Sequence, residues 1–491
     1  MKKILLFLIF LFFQQILIAS NSTPSRQVDI LHSIIDIKVD IISEQVIGKV
    51  SHKFSPLGTS VSSLDLDAED MVVRRVRLGN KDIPFFQSEK KLHMDLIKNY
   101  SWFDTLKVTI NYTANPRTGL YFFQPDSLYP NRKLQAWTQG EETDNHHWVP
   151  LYDYPNERAT FECKITVDKN LKAISNGELI SIKDNKDNTK TYHWRENFPM
   201  VSYLISFVIG DYVKVEDNYG DLPVAYWVYP ENQNEAFRSF GKTPDMLEYF
   251  NKLTDLSYPF EKYDQIIVSE FMWGGMENIT LTHNTDRTMY DSKAQPDHSS
   301  DGLVAHELAH QWFGNMITTR NWANIWLNEG FASYMENYAT QYLHPDYQMW
   351  EQLLIDHQAS AMALDALKSS HPIEVPIRRA AEVEEVFDRI SYAKGVSVTY
   401  MIEHVIGEDA FKSGLRNYFQ KHQYSNTITT DLWAAWSESS GKDIKAMMNS
   451  WTDQMGYPQI SVVSDDTAGV VGIDGDDDNV QITLRQDWFL L

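Results

Sequence analysis

A single cysteine, Cys163, stands in a chain of 491 residues, so no disulfide can close within it and a disulfide-built scaffold is excluded. It lies in Phe161-Glu162-Cys163-Lys164-Ile165-Thr166-Val167, where alternate residues are apolar. It therefore reads as a small hydrophobe on a strand's inner face, not as a nucleophile. Basic residues are scarce: 44 Lys and Arg against 67 Asp and Glu leave a formal net charge of −23. Such a surface repels phosphate backbones, which excludes nucleic acid as the expected partner, and otherwise reports solubility. Internal repeats at solenoid periods are absent. Low complexity is absent too, because 43% hydrophobic and 13% aromatic residues can fill large cores. The length suits two to four domains at roughly 100–200 residues each.

The first twenty residues differ from the rest. Lys2 and Lys3 precede an apolar run from Ile4 to Phe13, then Gln14-Gln15, a second run from Ile16, and small residues at Ala19-Ser20. This reads as a secretory signal peptide over 1–20, although Leu17 occupies a position where a small residue is usual. The expectation is export, to a periplasm or the exterior, with tethering to a membrane only if the signal is retained. No stable membrane span is expected after cleavage, since the segment is short and carries two glutamines.

From about 30 to 215 the pattern has period two. Ile35, Ile37, Val39 and Ile41 alternate with polar residues, as do Leu106, Val108, Ile110 and Tyr112, which predicts an antiparallel β domain over 21–215. The period then lengthens. Thr243-Pro244-Asp245 is a helix start, and 301–316, 325–343, 381–404, 408–421, 430–439 and 442–451 read as helices of a second domain, 216–455. Alternation returns in Ile460, Val462, Val480, Ile482 and Leu484, around an acidic turn at Asp474 to Asn479 that lacks the ligand spacing of a calcium loop. Residues 456–491 thus read as the start of a further sheet.

The strongest chemical signal is His306-Glu307-Leu308-Ala309-His310. On a helix, positions i and i+4 share a face, so both imidazoles can reach one zinc ion while Glu307 lies beside the open coordination position as a base. Eighteen residues separate His310 from Glu329 in Trp326-Leu327-Asn328-Glu329-Gly330, and a carboxylate there completes a site of two histidines and one glutamate. Glu336, seven residues on, shares a face with Glu329; it is read either as an orienting partner of a ligand or as a solvated charge. Gly274-Gly275-Met276-Glu277-Asn278 lets backbone approach a ligand and offers a carboxylate to a cation, although a tight turn has the same composition. Gln139-Gly140-Glu141, among Trp137, His146, His147 and Trp148, offers a second carboxylate or merely a loop acid. Tyr392 in Ser391-Tyr392-Ala393-Lys394-Gly395 suits an oxyanion donor and equally an ordinary buried tyrosine. The residues by themselves lead to a zinc hydrolase of the peptidase kind, with one Zn2+ per chain.

Taken together, these motifs resemble the M1 family of zinc aminopeptidases. His306 to Asn315 with Trp326 to Gly330 is similar to its gluzincin signature, Gly274 to Asn278 to its exopeptidase motif, Tyr392 to Gly395 to its tyrosine motif, and Thr138 to Glu141 to its amino-terminal substrate loop. The Gly-Gly form resembles the leukotriene A4 hydrolase and aminopeptidase B branch. The resemblance implies an α+β multidomain fold: an antiparallel β amino-terminal domain, a mainly α thermolysin-like catalytic domain, and the start of a β-sandwich. It also implies that His306, His310 and Glu329 bind zinc, that Glu307 and Tyr392 are catalytic, and that Gln139, Glu141, Gly274, Gly275, Met276, Glu277 and Asn278 bind substrate. Within that set, Glu277 with Gln139 and Glu141 would hold the free amine of a peptide, making the enzyme an exopeptidase. Trp273 would sit near the side-chain pocket.

Departures accompany the resemblance. The family's arginine-containing stretch is here His147-Trp148-Val149-Pro150, followed by Tyr152-Asp153-Tyr154-Pro155. The family's carboxy-terminal helical domain, which closes over the active site, lies beyond the sequence, so the chain is expected to be shortened. The alternatives are an epoxide hydrolase like leukotriene A4 hydrolase, or an inactive fragment that only binds peptides. Asn21, Asn99, Asn111 and Asn278 begin glycosylation patterns; at Asn278 a glycan would obstruct the amine motif, so the match there is read as chance.

Overall fold

Alternation is realised from the first strand onward. In Val28–Asp40, the side chains of Ile35, Ile37 and Val39 turn inward and are buried, while Asp36, Lys38 and Asp40 alternate outward. The computed structural model describes residues 23–377, 382–463 and 483–491. The signal-like residues 1–20, the turn from Asp474 to Asn479, and Val480 and Ile482 lie outside the described residues.

The amino-terminal domain is β-rich. Its largest sheet runs in the order Glu178–Asp184, Thr189–Met200, Ala159–Asp168, Val28–Asp40, Gln45–Pro56, Leu106–Ala114, Met71–Leu78 and Lys81–Asp82. All neighbours are antiparallel except Val28–Asp40 with Ala159–Asp168, which pair in parallel from His32 with Thr160 to Lys38 with Thr166. That pair departs from a wholly antiparallel expectation. Alternation fixes which face a strand buries but is blind to the direction of its neighbour. Cys163 lies in this sheet, opposite Ile35 and Trp194, and burial pushes its thiol up to about 12, so it is an inert filler of the core. A three-stranded sheet of Val61–Asp67, Lys91–Tyr100 and Phe85–Gln87 and a four-stranded sheet of Lys172–Ser175, Phe207–Gly210, Gln135–Thr138 and Leu120–Phe123 complete this part.

The helical domain is built on a five-stranded sheet ordered Val213–Tyr219, Leu222–Val228, Tyr263–Val268, Leu281–Thr285 and Gly275–Met276. Its short last strand runs antiparallel to Leu281–Thr285, with Gly275 opposite Asn284 and Met276 opposite His283. Helices Thr243–Thr254, Asp301–Ala309, Trp326–Leu343, Gly395–Ile406, Glu408–His422, Thr429–Ser440 and Ile444–Thr452 follow. The helix expected over 301–316 stops at Ala309, because Gly314 takes φ +129 and the chain turns into the strand Ile317–Thr319, which pairs with Ser425–Thr427. The helix expected over 381–404 is broken. Glu384–Val386 is one tight turn, Phe387 leaves helical geometry, and the Asp388 carboxylate accepts from Ile390 N at 2.7 Å to restart the chain as a π-helical turn, Ile390–Lys394. Helical structure over Met349–Leu353, Leu354–Gln358 and Ala359–Asp365 has no counterpart in the sequence reading. Leu353, Leu354 and Ile355 are consecutive, and two of the three are exposed, which masks the helical period.

Tyr457–Val463 and Thr483–Phe489 form a two-stranded antiparallel sheet, and Leu491 N donates to Ala366 O at 2.6 Å. Among the described residues, no helix is long and apolar enough to cross a membrane.

Candidate active site

Two helices set the centre of the site. His306 lies in the last turns of Asp301–Ala309 and His310 caps that helix, so their rings share one face. Glu329 enters from the first turn of the buried helix Trp326–Leu343. The Nε2 atoms of His306 and His310 are 3.1 Å apart, and each lies 3.5 Å from Glu329 Oε2. Zinc bonds of about 2.0–2.2 Å in tetrahedral geometry set neighbouring ligand atoms about 3.4 Å apart, so the three atoms fit such an ion. Outer partners fix the rings: His310 Nδ1 donates to Phe313 O at 2.9 Å, and His306 Nδ1 faces Glu336 Oε2 at 3.4 Å. Glu336, 28% exposed, thus faces His306 while still reaching solvent.

Around this centre negative charge is concentrated. Glu141, Glu277 and Glu329 each bring a carboxylate oxygen within 4.8 Å of the others. Burial raises Glu329, but the charges and hydrogen bonds of His310 and His306 outweigh it and hold the group at about 2. Glu277 is raised by burial, partly offset by His310. Burial, then the charges of Glu277 and Glu329, hold Glu141 well above the ordinary carboxylate range. Glu307, 4% exposed, is pushed up to about 8 by burial. Three acceptors from adjoining segments, Gln139 Oε1, Glu141 Oε1 and Glu277 Oε1, are buried without a hydrogen-bond partner. Buried acceptors of this kind are costly unless a donor meets them.

The Gly-Gly strand packs directly on Glu307. A Cβ on Gly275 would lie 2.6 Å from Glu307 Cγ, and closer still to its carboxylate, so no side chain fits. Gly274 is looser, with the nearest atom to such a Cβ, Leu303 Cδ1, at 3.1 Å. Met276 accepts through its sulfur from Gln139 Nε2 at 3.0 Å, which joins the amino-terminal loop to this strand. The main-chain oxygen of Glu277 accepts from Gln311 Nε2 at 3.1 Å and Asn315 Nδ2 at 2.7 Å. Asn278 is fully buried and its main-chain oxygen accepts from Leu281 N. Tyr392, half-buried in the π-helical turn, lies with its ring nearly parallel to that of His306 at 6.4 Å between centroids. Burial, followed by the charges of Glu329, Glu141 and Glu277, raises its hydroxyl well above the usual value. Trp273 is 40% exposed, edge-on to Phe271, which in turn packs edge-on to Trp137.

Some contributors carry no motif. The fully buried Tyr203 receives a hydrogen bond from Asn328 Nδ2 at 3.2 Å, and burial together with the Glu277, Glu141 and Glu329 charges raises it. Arg158 crosses from the amino-terminal domain to donate to Thr318 Oγ1 at 2.8 Å and Asn315 O at 2.6 Å. Asn315 is a clamp on Glu277, so the arginine supports the site through it. No local spacing relates residues 158 and 203 to residue 277.

Comparison with known proteins bears on both domains. The description "Peptidase M1 N-terminal domain" matches residues 29–204, and "Peptidase family M1 domain" matches residues 238–451. The chain is similar to "Aminopeptidase 2, mitochondrial" of Saccharomyces cerevisiae, 32% identical over 495 residues, spanning 96% of this chain and 50% of the relative. It is similar to "Aminopeptidase M1" of Arabidopsis thaliana, 36% identical over 361 residues, covering 72% of this chain and 41% of the relative. "Glutamyl aminopeptidase" of Bos taurus is 36% identical over 340 residues, covering 67% and 35%. The chain spans about half the length of the curated relatives it matches, or less. The expectation of export is overturned here. The yeast relative aligned over 96% of the chain is named as mitochondrial. A short apolar run after two lysines is a pattern of composition, and composition alone did not fix the destination.

Proposed function

Because the chain belongs to peptidase family M1, we propose that it is a zinc-dependent aminopeptidase that removes the first residue of peptides with a free amino terminus. One juxtaposition carries this reading: a His306–His310–Glu329 set at zinc-ligand separations, beside the unpartnered buried oxygens of Gln139, Glu141 and Glu277. A primary ammonium supplies both the positive charge and the three N–H donors that those oxygens lack. The Gln139 amide is already committed as a donor to Met276, which leaves its oxygen to accept. An amine held there puts the first peptide bond, and no later one, at the His306–His310–Glu329 set.

Bound zinc supplies a Lewis acid toward the scissile carbonyl and the attacking water. Glu307 takes the proton of that water and returns it to the leaving amine. Tyr392 donates its hydroxyl proton in a hydrogen bond to the carbonyl oxygen as charge develops there, and its raised pKa keeps that proton in place. Gly274 and Gly275 leave backbone free to align the peptide. The test is a pair of substrates, an aminoacyl anilide and its N-acetylated form, run beside elemental zinc analysis. The free amine is expected to be cleaved and the acetylated form spared, with one zinc equivalent lost in His310→Ala. Equal rates on both anilides would refute the amine-anchoring role of Glu277.

A further inference from the structure

Five residues beyond Glu141, His146 and His147 lie against the Glu69–Asp70 turn, which links strands Val61–Asp67 and Met71–Leu78. The zinc chemistry proposed above does not use them. The turn and the histidine segment are joined through backbone, Glu69 N donating to His146 O at 3.1 Å and Asp67 with Leu151 bonding in both directions. Glu69 and both histidines each bring one ligating atom within 4.8 Å of the other two. Each imidazole is held from behind by a carboxylate: His146 Nδ1 faces Asp153 Oδ2 at 3.1 Å, and His147 Nδ1 faces Asp70 Oδ2 at 3.0 Å. A carboxylate on Nδ1 fixes the tautomer and turns the Nε2 lone pair outward, the usual outer arrangement of a metal-bound histidine. His146 Nε2 then lies 3.7 Å from Glu69 Oε2.

We propose that Glu69, His146 and His147 form a second metal site, which takes a divalent transition-metal ion of the zinc class. Two imidazole nitrogens and one carboxylate select zinc and its neighbours over calcium or magnesium, which take oxygen donors. Local charge favours a cation. The carboxylates of Asp67, Glu69, Asp70, Asp144 and Asp153 gather around the pair; among the described residues, Lys91 pairs with Asp67 and Lys90 with Glu69 itself, a pairing that a bound ion would displace. The side chains of Glu69, His146 and His147 are 27%, 14% and 12% exposed, which leaves an entry path and room for water as a fourth ligand. The two rings lie nearly parallel, 4.5 Å between centroids. A bound ion would tie the Glu69–Asp70 turn to the loop that carries Gln139 and Glu141.

The competing occupant is a proton on His146, stabilised by the same Asp153. Zinc stoichiometry decides between them and reads this site separately from the active one. The full chain, loaded with zinc and freed of excess by gel filtration, is expected to retain two zinc ions. His306→Ala/His310→Ala is expected to retain one, and adding Glu69→Gln and His147→Ala to that pair is expected to leave none. A wild-type protein that holds a single zinc ion, lost with the His306/His310 pair, overturns the proposal. So does a stoichiometry of two that Glu69→Gln/His147→Ala leaves unchanged. Cobalt loading of the wild-type protein gives a measurement without substitutions: two titration end points in the visible d–d bands support the second site, and one end point overturns it.

Discussion

At the scale of the residue, the absence of a side chain at Gly275 matters as much as the carboxylate it touches. Any Cβ there overlaps Glu307, whose burial leaves it no free direction in which to retreat. Displacing a catalytic group by about 1 Å can cost about 100-fold in rate. Gly275→Ala is therefore expected to lower kcat by about 100-fold while zinc content is unchanged, measured by anilide turnover beside elemental analysis. Glu307→Gln tests the proposed base, since it preserves shape and removes the proton acceptor. It is expected to retain zinc and lose nearly all turnover; rates like those of the wild type would sink the mechanism. Glu336 was readable from sequence only as one of two things, an outer partner or a solvated charge. Its 3.4 Å approach to His306 Nδ1 depends on how the two helices pack, which spacing along one helix does not encode.

At the scale of the element, Tyr392 depends on a short π-helical turn whose position is set from outside. Lys394, at the end of that turn, forms a buried ion pair with Asp365 at 2.8 Å and donates to Gln454 O at 3.1 Å. Asp365 also accepts from Gly456 N at 2.9 Å, so the turn, the Ala359–Asp365 helix and the start of the last sheet meet at one carboxylate. Removing one partner of a buried pair strands the other charge, at a cost of about 3–5 kcal/mol. Lys394→Met is expected to destabilise the protein by that amount in urea unfolding, and to slow turnover through Tyr392. Lys394→Met/Asp365→Asn, which removes both charges and keeps an oxygen for Gly456 N, should recover a large part of the stability. The sequence could not reveal this junction: its helix over 381–404 ran through residues where the Asp388 cap and the π turn restart the chain, and it had no helix at 359–365.

At the scale of the whole molecule, the site is shared between two domains. Gln139 and Glu141 come from the β-rich part, while Glu277 and the His306–His310–Glu329 cluster come from the helical part. Further ties run alongside, from Trp137 Nε1 to Ser269 O at 3.2 Å, Asn176 Nδ2 to Ile279 O at 2.6 Å, and Gly177 N to Thr280 Oγ1 at 2.7 Å. Stability then depends on buried polar groups in both domains. His52 is fully buried between Ser33 Oγ at 2.8 Å and Pro150 O at 2.9 Å, and burial lowers it from 6.5 to about 4. A histidine depressed in the folded state loses its contribution as pH falls, because the unfolded chain takes up the proton first. At about 1.4 kcal/mol per unit, His52 contributes about 3 kcal/mol of acid destabilisation between pH 6.5 and 4. His52→Gln lacks that titration. The stability gap between wild type and this variant should therefore narrow by about 3 kcal/mol over the same range, read from urea midpoints. A gap independent of pH would contradict the assignment.

The sequence by itself singled out His306, His310 and Glu329 as candidate metal ligands, Glu307 as a candidate base, and the order of a β-rich domain followed by a helical one. Those properties are local: one helical face, one period of alternation, one residue type suited to one bond. Tertiary structure alone decided that Gln139, Glu141 and Glu277 leave oxygens unpartnered together, that Arg158 reaches Glu277 through Asn315, that Tyr203 meets Asn328, and that His146 and His147 face Glu69. Those properties join residues more than seventy positions apart, where only the packing of one domain on another, or of one sheet on another, sets the distance.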